Sequence, residues 1–101
     1  MAFTVTLAPE ASADAISISR WWKANRPAAP LLFQQELSRA LQRLVESPEL
    51  GSKVRMRNQR EARLIILRGS RSLIFYSVNV VEKAVVVTRI RRAQRRPLHR
   101  K

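Results

Sequence analysis

The fold is decided by the stretch from residue 62 to residue 90, which reads ARLIILRGSRSLIFYSVNVVEKAVVVTRI. It holds three apolar runs that are rich in Ile, Val, Phe and Tyr, residue types that favour strands. A Gly-Ser pair and a polar segment separate the runs at distances typical of β-hairpins. The stretch therefore predicts three consecutive antiparallel strands, at residues 62–67, 72–78 and 84–90.

The residues before this stretch have a different periodicity. FTVTL at residues 3–7 alternates apolar side chains with threonine, as a short strand does. Residues 9–46 instead repeat apolar side chains every three or four positions, as amphipathic helices do. Pro27 and Pro30 interrupt this pattern, and we expect a second helix to begin between them, because proline is tolerated in a first helical turn. The sequence thus predicts a short strand followed by a helical hairpin.

Together these elements predict one α+β domain in the order β-α-α-β-β-β, with the helical hairpin packed on an antiparallel sheet. Its parts over residues 1–101 are an N-terminal strand (1–8), the helical hairpin (9–46), an antiparallel meander (52–90) and a basic C-terminal tail (91–101). The meander strands are apolar on both faces. Because the helices cover only one face, we expect either the C-terminal tail or another chain to cover the second.

Charge is distributed unevenly along the chain. The 101 residues include 20 Lys and Arg against 7 Asp and Glu, a net charge of +13. Residues 1–50 carry five basic and five acidic side chains, so the whole excess lies in residues 51–101. A neutral half joined to a basic half predicts a scaffold and a surface that binds an acidic partner. The alternative is a solvated basic tail without a specific target.

Composition excludes several classes of protein. There is no cysteine, so disulfide frameworks, thiolate metal sites and cysteine nucleophiles are excluded. Two glycines cannot supply a phosphate-cradling loop, and one histidine cannot supply a histidine metal cluster. The apolar runs are far shorter than the roughly 20 residues of a transmembrane helix. We expect a cytoplasmic protein that needs no cofactor and no metal.

Several short segments, none of them a sharp motif alone, occur in a characteristic order. They are Trp21-Trp22, NRPAA at 25–29, SPELG at 47–51, Ile74-x-Tyr76-x-Val78 and RAQRRP at 92–97. In this spaced combination the chain resembles the ParE/RelE toxin superfamily of bacterial toxin–antitoxin modules, over nearly its full length. The resemblance implies a small α+β toxin held by an acidic antitoxin. It also implies one of two activities: the ParE branch poisons DNA gyrase, and the RelE branch cleaves messenger RNA in the ribosomal A site.

The residues favour the first activity. RNA cleavage needs a group that transfers protons, and arginine does not, because it stays charged. The candidates are Tyr76, which we expect in the core, His99, which lies near the end of the tail, and the lysines. Where many family members have histidine before an arginine pair, this chain has Arg92. We therefore expect no catalytic residue and a toxin that binds DNA gyrase; the alternative is a ribosome-dependent mRNA endonuclease.

The candidate binding residues fall into two groups. The expected target is DNA gyrase with its bound nucleic acid. The residues that we expect to contact it are the arginines Arg63, Arg71, Arg91, Arg92, Arg95 and Arg96. For the antitoxin, we expect Trp21, Ile74 and Tyr76, with Trp21 serving either as core or as a half-exposed anchor. Two further hypotheses stay open: a nonspecific nucleic-acid-binding module, and a toxin that keeps the fold but has lost its target.

Overall fold

The computed structural model describes residues 2–59 and 61–93, which form two helices and five strands. In chain order these are β1 (Thr4–Leu7), α1 (Pro9–Asn25), α2 (Leu32–Glu46), β2 (Ser52–Arg55), β3 (Glu61–Leu67), β4 (Ser72–Asn79) and β5 (Ala84–Arg92). The predicted α+β class and the order of strand, helices and strands are confirmed. The structure adds β2, a strand that the predicted order lacks, in a polar segment without clear alternation.

The five strands form one sheet in the order β1-β5-β4-β3-β2. Strands β2 to β5 pair antiparallel, as a meander does. β1 pairs with β5 in parallel, with Thr4 opposite Ala84 and Leu7 opposite Val87. The sheet is therefore mixed and not antiparallel throughout, because the N-terminal strand joins the far edge beside the C-terminal strand. As a result β5 lies inside the sheet and is held on both sides along its first half.

Both helices pack on one face of this sheet. The helical spacing that the sequence predicted is confirmed, since the buried apolar residues of the helices are Ala11, Ile18, Trp22, Phe33, Ala40 and Leu44. Those of the strands are Leu67, Ile74, Tyr76, Val85, Val87 and Ile90. α1 starts with proline at its first position, where the missing backbone donor costs nothing. The core is thus a single layer between the helical hairpin and the sheet.

The opposite face of the sheet carries apolar side chains too. Leu64 lies across from Phe75 and Ile66 across from Leu73, all alternating with the residues that face the helices. Ile66 is 54% exposed. The described residues leave this face uncovered. Of its two predicted covers, the C-terminal tail lies largely outside the described residues.

Tyr76 fixes the turn between α2 and β2. Its buried hydroxyl accepts a hydrogen bond from the Gly51 N–H (2.7 Å) and donates one to the Pro48 carbonyl (2.9 Å). Burial raises the pKa of this hydroxyl above its ordinary value. Gly51 is required by close approach, because a Cβ there would lie 2.7 Å from the Leu64 carbonyl oxygen. The Tyr76 hydroxyl is therefore used to hold the turn.

Replacing Tyr76 with Phe should destabilise the fold, because a buried N–H and a buried carbonyl lose their partner. We expect the free energy of unfolding to fall by about 1–3 kcal/mol, measured by urea denaturation. Thr88→Val is the control, since it removes a half-buried hydroxyl that donates to the Phe75 carbonyl at 3.2 Å. Its expected cost is below about 1 kcal/mol, and an equal cost for both variants would contradict this role for Tyr76.

Candidate arginine–tryptophan site

The last turn of α1 carries two tryptophans with different environments. Trp22 is 8% exposed and belongs to the core, whereas Trp21 is half-buried. Their rings meet edge to face, with centroids 5.8 Å apart and an interplanar angle of 77°. Consecutive helical positions point about 100° apart, so both rings cannot be buried equally. Trp21 is left with one side in the core and one side at the surface.

Two arginines lie over the exposed side of Trp21. The Arg92 guanidinium carbon is 3.9 Å from the centroid of the Trp21 ring, and that of Arg26 is 5.7 Å from it. Both are within the distance at which an aromatic face attracts a cation. Arg92 comes from the end of β5 and Arg26 from the residue that follows α1, so the site joins the two parts of the fold.

Around these contacts lies a cleft of about 750 Å³, which we call the Trp21 cleft. It is lined by Trp21, Trp22, Arg26, Gly69, Ser70, Arg71, Arg92 and Ala93. Trp22 also has a buried indole N–H that lacks a hydrogen-bond partner among the described residues. The lining combines three guanidinium groups with an aromatic wall, a combination suited to an anionic group beside an apolar one.

The turn between β3 and β4 brings Arg71 to this cleft. Glu36 of α2 holds the turn, accepting hydrogen bonds from the N–H groups of Gly69 (2.8 Å) and Ser70 (2.7 Å). Desolvation raises the pKa of Glu36, but hydrogen bonds from the Ser70 hydroxyl and from these N–H groups, together with the charge of Arg39, outweigh it and leave the pKa below its ordinary value. A Cβ on Gly69 would lie 2.7 Å from a Glu36 carboxylate oxygen, so any other residue there would displace this carboxylate. Arg71 follows in the left-handed conformation, with φ of 55°.

A second carboxylate fixes the end of β5. β1 pairs with β5 only as far as Val87, and beyond it Asp14 of α1 accepts a hydrogen bond from the Ile90 N–H at 2.9 Å. The same carboxylate is bound by Arg89 through Nε (2.9 Å) and Nη2 (3.2 Å). The Arg89 hydrogen bonds, joined by that of Ile90, hold the pKa of Asp14 below its ordinary value despite desolvation. Asp14 thus accepts a backbone hydrogen bond from β5 at a position that β1 is too short to reach.

The structure does not bring the six predicted target arginines together. Arg71 and Arg92 meet in the Trp21 cleft. Arg91 lies opposite Leu73, whose side of the sheet the helices leave uncovered. Arg63 donates to the carbonyls of Gly51 (2.7 Å) and Glu49 (3.2 Å), so it stabilises the α2–β2 turn. Arg95 and Arg96 lie outside the described residues.

Of the three predicted antitoxin residues, only Trp21 is at the surface. Ile74 and Tyr76 are both 0% exposed under the helices, so their side chains form part of the core, and their assignment to the antitoxin stays a prediction. β4 is apolar on both faces, and periodicity alone did not say which face the helices take. The side chains on the uncovered face are the alternate ones, Leu73 and Phe75.

Two residues of the site were not predicted. Arg26 was interpreted only as part of the segment that breaks the helix. Glu36 is one of two acids on α2, and its role depends on a turn 33 residues later in the chain. The only local signal for Arg26 was its position shortly after a tryptophan pair, at the end of a helix.

A family model described as the ParE toxin of the type II toxin–antitoxin system parDE matches residues 5–97. The chain belongs to this family. It is thus a type II toxin of the ParE/RelE superfamily. A search of curated proteins finds no match.

Solved structures show the same fold as this ParE-family chain. A chain of the chromosomal ParDE system of P. aeruginosa matches with a TM-score of 0.72 and 17% identity, covering 91% of this chain and 97% of that one. A chain of the E. coli RelBE complex matches with 0.59 and 20%, covering 93% and 100%. A chain of RelBE2 from Mycobacterium tuberculosis matches with 0.65 and 16%, covering 92% and 93%. Among the described residues, neither helix of this toxin is long and apolar enough to cross a membrane.

The Asp14 contacts predict a pH dependence of stability. Because its pKa is lowered in the folded state, its stabilisation is present above its unfolded pKa of about 3.9 and is lost as the pH falls through the folded value. Asp14→Asn should lower the free energy of unfolding by about 1 kcal/mol at pH 7. The gap between the variant and the native chain should close between about pH 5 and pH 2, as followed by urea denaturation.

The control for this prediction is Glu46→Gln at the exposed end of α2. That variant removes an exposed carboxylate and should change the free energy of unfolding at pH 7 by less than about 0.5 kcal/mol. A gap for Asp14→Asn that is independent of pH would contradict the charged hydrogen bonds assigned to Asp14.

Proposed function

We propose that this toxin stops growth by binding DNA gyrase and holding an enzyme–DNA intermediate, without cutting nucleic acid itself. The observation that carries its non-catalytic part is the chemistry of the Trp21 cleft. Of the described residues that line it, three are arginines and none is Asp, Glu, His, Lys or Tyr. The Ser70 hydroxyl is already paired with that of Ser72 at 3.1 Å. A surface of this kind binds anions but has no group that would carry a proton.

The uncovered face of the sheet supports the same conclusion. Its cross-strand pairs Leu64–Phe75 and Ile66–Leu73 are apolar, so they offer neither a proton donor nor a stabilising charge. Tyr76, the one tyrosine in the chain, is buried with its hydroxyl fully engaged in the α2–β2 turn. Binding is the function that these residues can perform.

The proposed target contacts lie at the end of β5. Arg91 is exposed and lies beside the uncovered face, and Arg95 and Arg96 follow it in the sequence. These arginines would meet acidic groups of the gyrase–DNA complex. Arg71 and Arg92 line the Trp21 cleft instead.

An acidic antitoxin is the second part of the proposal. The basic side chains behind the net charge of +13 repel one another in a small domain, and an acidic partner would relieve that repulsion. The uncovered apolar face, with Ile66 54% exposed, would be shielded at the same time. Relatives of this fold have been solved as toxin–antitoxin complexes, including ParDE and RelBE.

The second candidate function is a ribosome-dependent mRNA endonuclease, favoured by the likeness to RelE structures. The isolated E. coli RelE toxin matches with a TM-score of 0.61 and 20% identity, over 94% of this chain. A RelE-like activity would need acid–base groups outside the surfaces described above.

Two assays on the purified chain separate the candidates. We expect inhibition of gyrase supercoiling and accumulation of cleaved DNA–gyrase complex, with messenger RNA left intact on translating ribosomes.

Arg91→Gln should weaken gyrase inhibition several-fold, since it removes a guanidinium from the contact surface. Arg57→Gln, an exposed arginine in the β2–β3 loop, is the matched control and should leave inhibition unchanged. Ribosome-dependent cleavage of messenger RNA with normal supercoiling would contradict the proposal.

A further inference from the structure

We propose that the Trp21 cleft binds a glutamate or aspartate side chain of an acidic protein segment, held by Arg26, Arg71 and Arg92. The identification of that segment as part of the antitoxin rests on the function proposed above. The site itself is argued from the residues that line it, and Arg91, which is assigned above to gyrase, is not one of them.

The three cleft arginines differ from Arg63 and Arg89 in what they contact. Arg89 is paired with Asp14, and Arg63 donates to two carbonyls of the α2–β2 turn. Arg26, Arg71 and Arg92 form no ion pair and no side-chain hydrogen bond with any described residue. Three like charges around one cleft repel one another, and a single carboxylate among them would turn this repulsion into attraction.

The contact between Arg92 and Trp21 prepares the guanidinium for a carboxylate. At 3.9 Å from the ring centroid, the guanidinium lies on the indole face, which leaves its N–H edge open. That edge matches the two oxygens of a carboxylate, and the fixed stack reduces the entropy lost on binding. The same contact argues against a nucleobase, because the face on which a base would stack is occupied by Arg92.

The charge and shape of the cleft favour a protein partner. The chain's own residues 94–101 contain four basic side chains and no acid, so like charges disfavour them as the occupant. A concave site of about 750 Å³ admits an inserted side chain more readily than the backbone of a DNA duplex. The apolar wall formed by Trp21 and Trp22 would receive the aliphatic part of such a residue.

Tryptophan fluorescence reports directly on this site. The chain has two tryptophans, and both line the cleft. Titrating the purified full chain with a decaglutamate peptide should give a saturable change in emission that weakens as salt is raised. A decaglutamine peptide of the same length should give none.

A matched pair of variants tests whether the cleft arginines are responsible. Arg71 and Lys83 both hold the left-handed conformation in a hairpin turn, with φ of 55° and 52°. Glycine adopts this conformation without strain, so Arg71→Gly and Lys83→Gly keep the geometry of their turns, and melting curves of the native chain and both variants check that each folds. Arg71→Gly should reduce the affinity for decaglutamate about tenfold, and Lys83→Gly, which removes the same charge elsewhere, less than about twofold. Arg92→Lys should also weaken binding, because lysine keeps the charge but loses the planar fork.

The inference is overturned if Lys83→Gly weakens decaglutamate binding as much as Arg71→Gly, since attraction would then follow net charge. It is also overturned if a thymidine decanucleotide binds more tightly than decaglutamate and loses its affinity in Arg71→Gly, which would make the cleft a nucleic-acid site. Binding of decaglutamate by a chain that neither stops growth nor inhibits gyrase would sink the proposed function and leave this site standing. Gyrase inhibition by a chain that does not bind decaglutamate would overturn this site and leave the proposed function standing.

Discussion

The pairing of β5 with β4 on one side and β1 on the other is the constraint from which the rest of the structure follows. It places the C-terminal strand inside the sheet, so Val85, Val87 and Ile90 face the helices and are buried. α1 packs on these residues, and its last turn therefore lies above the end of β5. The contact between Trp21 and Arg92 is a consequence of this pairing.

Two carboxylates complete the arrangement where backbone pairing stops. Asp14 satisfies the Ile90 N–H beyond the end of β1, and Glu36 satisfies two N–H groups of the β3–β4 turn. Both acids are thus used inside the fold, although the chain has only seven. The basic half of the molecule is left with few internal partners for its charge, which is why its free arginines are available to acidic partners.

The sequence predicted the elements better than the site, for a physical reason. Helical and strand periodicity report burial along one element, so Phe33, Leu44 and the three apolar strand runs could be placed without a structure. Which face of a doubly apolar strand meets the helices depends on contacts between elements, so periodicity alone could not show that Ile74 and Tyr76 are buried under the helices. Nothing in the four residues of β1 indicates that this strand pairs in parallel with β5. Arg26 contacts Trp21 only because of where α1 ends.

The contact between Arg92 and Trp21 can be measured directly by NMR in solution. If β5 and α1 are arranged as described, the ring current of the indole should move the side-chain proton resonances of Arg92 well upfield of those of the exposed Arg57. Arg92 resonances at the positions of Arg57 would contradict the arrangement, because the guanidinium would then not lie on the ring.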